Sequence, residues 1–296
     1  MTAGYFINAI CTPLTDDESL HTEGLAVHIA DQWKHGIDGI LIGGTMGMMQ
    51  LLRDSTYRDL VTHGVAASKG EGEVLIGVGD TSYGRTKERI EFVNQFDVDG
   101  VVILAPFFVK PAGDQLVDYY HALADVAKAP VYLYDLPGLI GVDFSMDTYV
   151  KLQSHPNIKG AKISGRLVFT RQVCDRLGDS FRIIMAEPEM TDVLLRAGYE
   201  QFLDGIYAIV PHWLRALRKA AAADDWDGAA LWQQRITGLR MMLIESGNVM
   251  TALSALMGIR GIPGKAHFAP AQAMPAEKVE QFRLDPIGKE FACETV

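Results

Sequence analysis

A lysine near the end of an apolar run is the residue in this sequence best suited to covalent chemistry. The segment reads Ile158-Lys159-Gly160-Ala161-Lys162-Ile163-Ser164-Gly165. Side chains alternate along a strand, so Lys162 shares a face with Gly160 and Ile158, while Lys159 takes the other. If Ile158 and Gly160 point into a core, Lys162 points there too, near its rim. Burial disfavours the charged ammonium, and a neutral amine is what condensation with a carbonyl requires. Lys162 is thus a candidate imine-forming nucleophile; the alternative is a lysine marking the exposed end of a strand.

The preceding run, Val131-Tyr132-Leu133-Tyr134-Asp135-Leu136-Pro137, ends on Tyr134. A phenol one strand away from Lys162 can carry protons to and from a carbinolamine; a packing role is the alternative. Gly43-Gly44-Thr45-Met46-Gly47 follows another apolar run. Glycines there let backbone N–H groups approach an anion, and Thr45 adds a hydroxyl donor, so Gly44, Thr45 and Met46 form a candidate carboxylate cradle. It matches neither the dinucleotide nor the P-loop fingerprint. Glu187 and Glu189 follow a later run and are candidates for binding substrate hydroxyls, against the alternative of solvated loop carboxylates. Tyr207 is a further candidate for the substrate wall.

The elements that must position these groups are eight short aliphatic runs: Phe6–Cys11, Gly39–Ile42, Val74–Val78, Gly100–Leu104, Val131–Tyr134, Ile158–Ile163, Arg182–Met185 and Gly205–Val210. Their starts fall 23 to 35 residues apart, with amphipathic segments between. Thr22, Asp54 with Ser55, and Ser145 stand as polar caps before three of these. Eight βα units predict an α/β fold, a (β/α)₈ TIM barrel with buried parallel strands. After Val210 the pattern is helical over Pro211–Ala223, Asp225–Ser246 and Asn248–Met257. Beyond Gly258 the chain is rich in Pro and Gly and reads as irregular. The expectation is a single domain, with the barrel over about 5–223 and a C-terminal helical extension over about 224–296.

Composition narrows the function. Of 296 residues, 48% are hydrophobic and 22% charged, with a formal net charge of −10. An acidic chain of this kind argues against nucleic acid and anionic membranes as partners. Cys11, Cys174 and Cys293 are odd in number and far apart, so no disulfide framework or zinc motif is expected. No ligand-pair spacing of histidines with carboxylates suggests a metal. His21, His28 and His35 repeat every seven residues and read as a solvated helix face. Met1–Tyr5 lacks leader features, no run reaches a membrane span, and a cytoplasmic protein is expected.

Taken together these segments resemble the family of dihydrodipicolinate synthase and N-acetylneuraminate lyase. The resemblance is carried by Ala9-Ile10-Cys11-Thr12-Pro13-Leu14, Gly44-Thr45-Met46-Gly47, Gly77-Val78-Gly79, Ala105-Pro106-Phe107-Phe108, Tyr134-Asp135-Leu136-Pro137 and His155-Pro156-Asn157-Ile158-Lys159-Gly160-Ala161-Lys162. It runs from about Ala9 to Pro211 and more loosely to Met257. It implies a barrel, usually a homotetramer, with class I aldolase chemistry. Lys162 would form the imine with pyruvate or a longer 2-oxo acid, Tyr134 would move protons, and Thr45 would help hold the carboxylate. No cofactor beyond the covalent lysine imine, and no metal, is implied.

Several positions depart from that family. Met46 replaces the second Thr of its G-T-T-G turn, Met48 the usual following Glu, and Phe108 the second Tyr of P-Y-Y, which members lend across a subunit interface. Leu139 stands where the synthase has the Arg that binds its semialdehyde carboxylate. These changes argue against the synthase itself. The same resemblance makes Met46, Met48, Phe107, Phe108 and Leu139 candidates for the pocket mouth, which would favour a less charged, apolar or aromatic distal group; core packing of several of them is the competing and preferred reading. Three functions follow: reversible cleavage of a 2-oxo acid to pyruvate and an aldehyde, dehydration or hydration–aldol chemistry on the same imine, or 2-oxo-acid binding without turnover.

Overall fold

The computed structural model of the protein describes residues 4–293, 295 and 296. The reading of Met1–Tyr5 therefore falls mostly on residues 1–3, outside the described residues. Eight strands form: β1 (Tyr5–Ala9), β2 (Gly39–Ile42), β3 (Glu73–Gly77), β4 (Gly100–Leu104), β5 (Val131–Asp135), β6 (Ile158–Ser164), β7 (Arg182–Ala186) and β8 (Gln201–Asp204). Each pairs in parallel with the next, and β1 pairs with β8, so the sheet closes. Strands such as Gly39-Ile-Leu-Ile and Gly100-Val-Val-Ile-Leu are buried along their whole length. A parallel sheet covered by helices outside and filled within demands this.

The eighth strand corrects the expectation at Gly205–Val210. The strand is Gln201–Asp204, in register with Tyr5 to Asn8 of β1. The apolar run after it instead makes a short helix, Ile206–Ile209, buried on every side. A short run apolar in every position has no periodicity to separate helix from strand, and the true strand was hidden by its polar ends.

Helix starts follow local chemistry. Ser145 Oγ accepts from the Thr148 N–H and caps Met146–Gln153. Thr22, by contrast, begins its helix while His21 Nδ1 caps it by accepting from the Gly24 N–H. Asp54 likewise opens its helix after Arg53, which makes no side-chain cap.

The expectation of a solvated histidine face is also corrected. His28 and His35 are buried. His28 Nε2 accepts from the Cys11 N–H, and burial foremost lowers its pKa to about 4. His35 faces Asp31 at 3.3 Å. Both carboxylate oxygens of Asp31 in turn accept from Nη2 of the buried Arg260, at 2.9 and 2.8 Å. Arg260 also reaches the Ile209 carbonyl and His212 Nδ1. This helix faces the C-terminal region rather than water, and its polar residues find partners there, as buried charges must.

The C-terminal region is helical over Pro211–Ala222, Trp226–Glu245 and Val249–Arg260. The tail is less irregular than its Pro and Gly content suggests, with helices at Ala276–Leu284 and Pro286–Ala292. Pro275 precedes one and Pro286 opens the other; at a helix start the missing N–H costs nothing. Phe291, fully buried, meets Trp213 edge-on with ring centroids 6.2 Å apart. Among the described residues, no helix is long and apolar enough to cross a membrane.

Candidate active site

The carboxyl ends of the strands surround a cavity of about 470 Å³, within the range of roughly 300–1,000 Å³ usual for small-molecule sites. Tyr134 and Lys162 are cross-strand partners on β5 and β6, and both are almost fully buried, Lys162 at 4% exposure. Lys159 lies exposed on the other face, as alternation along the strand requires. The parallel register brings Lys162 Nζ to 2.7 Å from Tyr134 OH and 3.1 Å from Ser164 Oγ. Tyr134 OH lies 3.0 Å from Thr45 Oγ1. Three hydroxyls and one amine thus form a continuous chain on the cavity wall.

The loop after β2 presents Thr45. Gly77 packs so tightly under it that a Cβ there would sit 2.0 Å from the Gly43 carbonyl oxygen. Thr12 Oγ1 donates to the Gly47 carbonyl at 2.7 Å and braces the loop from β1's side. The N–H groups of Thr45 and Met46 donate to no backbone carbonyl among the described residues, which suits them to an anion. Gly44 is a packing position beneath this cradle: a Cβ would strike Leu41 Cδ2 at 2.8 Å. Met46 lines the cavity and lies over Gly205, where only a glycine leaves room for its thioether.

The other sequence candidates divide. Glu187 and Glu189 line the cavity. Glu187 accepts from the Arg166 N–H at 3.0 Å, and burial raises its carboxyl above the ordinary range. Glu189 is ion-paired with Arg240 Nε. Phe108 and Leu139 are not on the cavity wall; they are 85% and 65% exposed. Leu139 sits on the short helix Pro137–Ile140 and turns outward, while Gly138 faces the cavity. Tyr207 is corrected outright as a wall residue: it is fully buried behind the wall, its OH 2.6 Å from Thr191 Oγ1.

Three cavity residues with hydroxyl or charged side chains lie outside the sequence candidates: Ser164, Asp204 and Arg240. Ser164 follows from period-two alternation, two positions after Lys162. Asp204 ends β8, just ahead of the run Gly205–Val210 that the sequence predicts as the strand. Arg240 lies on Trp226–Glu245, in the extension, where nothing in sequence spacing points to a barrel mouth. Asp135, next to Tyr134, is a supporting group. It accepts from Tyr149 OH at 3.0 Å and pairs with Arg166 at 2.9 Å, and burial pushes its pKa up to about 6 against the pull of Arg166. Arg166 follows β6, so the pair ties the loops after β5 and β6 together. Among the described residues, no group of three or more His, Cys, Asp or Glu is arranged to hold a metal ion.

The dihydrodipicolinate synthetase family model matches residues 3–285. 4-Hydroxy-tetrahydrodipicolinate synthase 2 of Streptomyces coelicolor is 30% identical over 286 residues, covering 95% of this chain and 94% of that protein. The chain belongs to the dihydrodipicolinate synthetase family. Solved structures of similar fold include YagE, a prophage protein of the dihydrodipicolinic acid synthase family from E. coli K12 in complex with pyruvate. It has a TM-score of 0.87 and 22% identity, covering 97% of each chain. N-acetylneuraminate lyase from Mycoplasma synoviae has a TM-score of 0.84 and 21% identity, covering 99% of this chain and 98% of that one. Both share the family's closed barrel with added C-terminal helices.

Proposed function

We propose that this member of the family is a class I aldolase, cleaving a 2-oxo acid through an imine on Lys162 to give pyruvate and an aldehyde. The observation that carries this reading is a buried amine 2.7 Å from a phenol on the wall of the barrel-mouth cavity. The neutral amine attacks C2 of the oxo acid, Tyr134 protonates the departing hydroxyl, and water leaves. In the protonated imine the electrons of the C3–C4 bond flow to nitrogen as the C4 hydroxyl gives its proton to the Tyr134 phenolate left by the preceding step. The aldehyde departs, the enamine takes that proton from Tyr134 at C3, and water releases pyruvate and the free amine. The Thr45 hydroxyl and the N–H groups of Thr45 and Met46 hold the C1 carboxylate. Mere binding of a 2-oxo acid would need neither the amine nor its hydroxyl partners, which favours turnover.

The experiment is product analysis with a panel of 2-oxo acids. Pyruvate and an aldehyde in equal amounts, lost in Lys162→Ala, support cleavage. A chain-intact dehydrated product assigns dehydration to the same imine instead, and no product from any acid favours the binding-only role.

We also propose a homotetramer. Exposed Phe108, Val109 and Leu139 are apolar surface that assembly would cover. Their loops are adjacent, since the Lys110 side chain reaches Gly141.

A further inference from the structure

A second cavity, of about 520 Å³, opens among the C-terminal helices Pro211–Ala222, Trp226–Glu245 and Pro286–Ala292. It shares no lining residue with the barrel mouth. Its walls carry two tryptophans, Trp213 and Trp232, with His212, Arg215, Lys219 and Glu290. Helix Pro211–Ala222 supplies most of this mixture. Its buried stripe includes His212, Trp213, Leu214 and Leu217, while Arg215 and Lys219 stand one turn apart and exposed. The charges around the cavity do not balance. Glu290 is held by Arg235 Nε, and the Arg235 guanidinium lies 4.3 Å from the centre of the Trp232 ring. The side chains of Arg215 and Lys219 make no hydrogen bond or ion pair among the described residues. Like charges four apart on a helix repel one another, and here no carboxylate relieves them although the chain carries a formal net charge of −10. His212 adds an unanswered donor. It is 4% exposed, and its Nδ1 accepts from Arg260 Nη1 at 3.0 Å, because a guanidinium only donates. Burial first, then Arg260 and His35, lowers its pKa to about 3, so the ring is neutral. The ring proton therefore sits on Nε2, which has no partner among the described residues. A buried donor left unpaired is costly.

We propose that this cavity binds a small aromatic carboxylate, its ring against the two indoles and its carboxylate on Arg215 and Lys219. The choice follows from what each class of ligand would meet. A cation would face two unpaired cations, with Glu290 already neutralised by Arg235. A neutral molecule would leave both charges unanswered. A small inorganic anion would answer them and gain nothing from the indole surface. An alkyl carboxylate would cover that surface without the ring-to-ring geometry that aromatic pairs favour. An aromatic carboxylate meets both demands, and the Arg215 guanidinium can take its two oxygens in parallel hydrogen bonds. The volume suits a molecule of one or two rings. The site stands whether or not Lys162 forms an imine, because no residue of the amine's cavity takes part in it.

The test is equilibrium dialysis of the full chain against 2-naphthoate, its neutral amide 2-naphthamide, and octanoate. Naphthoate should be retained saturably, with the amide weaker by about tenfold, as two exposed charge contacts imply. Octanoate, which keeps the charge and lacks the rings, should be weaker by about threefold or more. Arg215→Gln combined with Lys219→Gln should weaken naphthoate by about tenfold and leave the amide within about twofold of wild type. The amide controls for folding, since a collapsed cavity would lose both ligands. Trp232→Leu should weaken naphthoate and the amide alike. Naphthoate retention unmoved by the double substitution would put the ligand elsewhere, the barrel mouth included, and overturn the proposal. No saturable retention of naphthoate by the wild type overturns it too. An amide as tight as naphthoate would remove the role of the cations, and octanoate as tight as naphthoate would remove that of the indoles; either result refutes the assignment.

Discussion

Replacing Tyr134 by Phe removes one oxygen and separates two accounts of the residue. That oxygen contacts Lys162 Nζ at 2.7 Å and Thr45 Oγ1 at 3.0 Å. If Tyr134 only packs, the loss is two hydrogen bonds, together roughly 2–3 kcal/mol of stability, and the rate of imine formation stays near wild type. If it delivers the proton that lets the carbinolamine lose water, the rate falls by about 10² to 10⁴, or roughly 3–5 kcal/mol of barrier. Ser164 Oγ, at 3.1 Å from the amine, remains as a poorer donor, which places the expected loss nearer the lower end. The assay is single-turnover capture: protein and pyruvate are mixed, quenched with borohydride at intervals, and the Lys162 adduct is followed by mass. An unfolding titration on the same sample reports the stability loss separately. A rate within about threefold of wild type would refute the proton-transfer role.

Two further outcomes test the surrounding structure. His28 titrates at 6.5 when exposed and at about 4 in the fold, so the unfolded chain binds the extra proton between those values. Stability is therefore full above about pH 6.5 and is lost as the pH falls toward 4, by roughly 3 kcal/mol from this group. Urea unfolding at pH 7 and pH 4.5 should show a smaller difference in His28→Gln than in wild type; the same difference in both would put the acid sensitivity elsewhere. Phe108→Asp places a charge on apolar surface that is 85% exposed in the single chain. Sedimentation should then show a lower mass than that of the wild-type protein, and an unchanged mass would clear this loop of any part in assembly.

Much of the barrel was legible because its strands are apolar, evenly spaced and separated by amphipathic helices. Six of the eight runs agree with their strands to within one residue at both ends, and the first, Phe6–Cys11, runs two residues past the end of β1. β8 was not, because Gln201 and Asp204 interrupt its apolar character while the helix after it carries the stronger apolar run. Lys162 and Tyr134 were legible since one strand's alternation and one cross-strand step suffice to pair them. Ser164 obeys the same alternation and was within reach. Arg240 was not, because its approach to the cavity depends on how a 20-residue helix packs across the barrel, which no local spacing records. The histidines misled for a related reason. A seven-residue repeat says which side of a helix they share, and only tertiary packing against Arg260 and His212 says that this side faces inward.

The most direct measurement is the mass of Lys162 after incubation with pyruvate and borohydride. Reduction of an imine should add the pyruvate-derived group to the peptide bearing Lys162 alone, and Lys162→Ala should show no adduct. Wild-type protein that remains unmodified, or that carries the adduct on Lys159 or another surface lysine instead, would contradict the account.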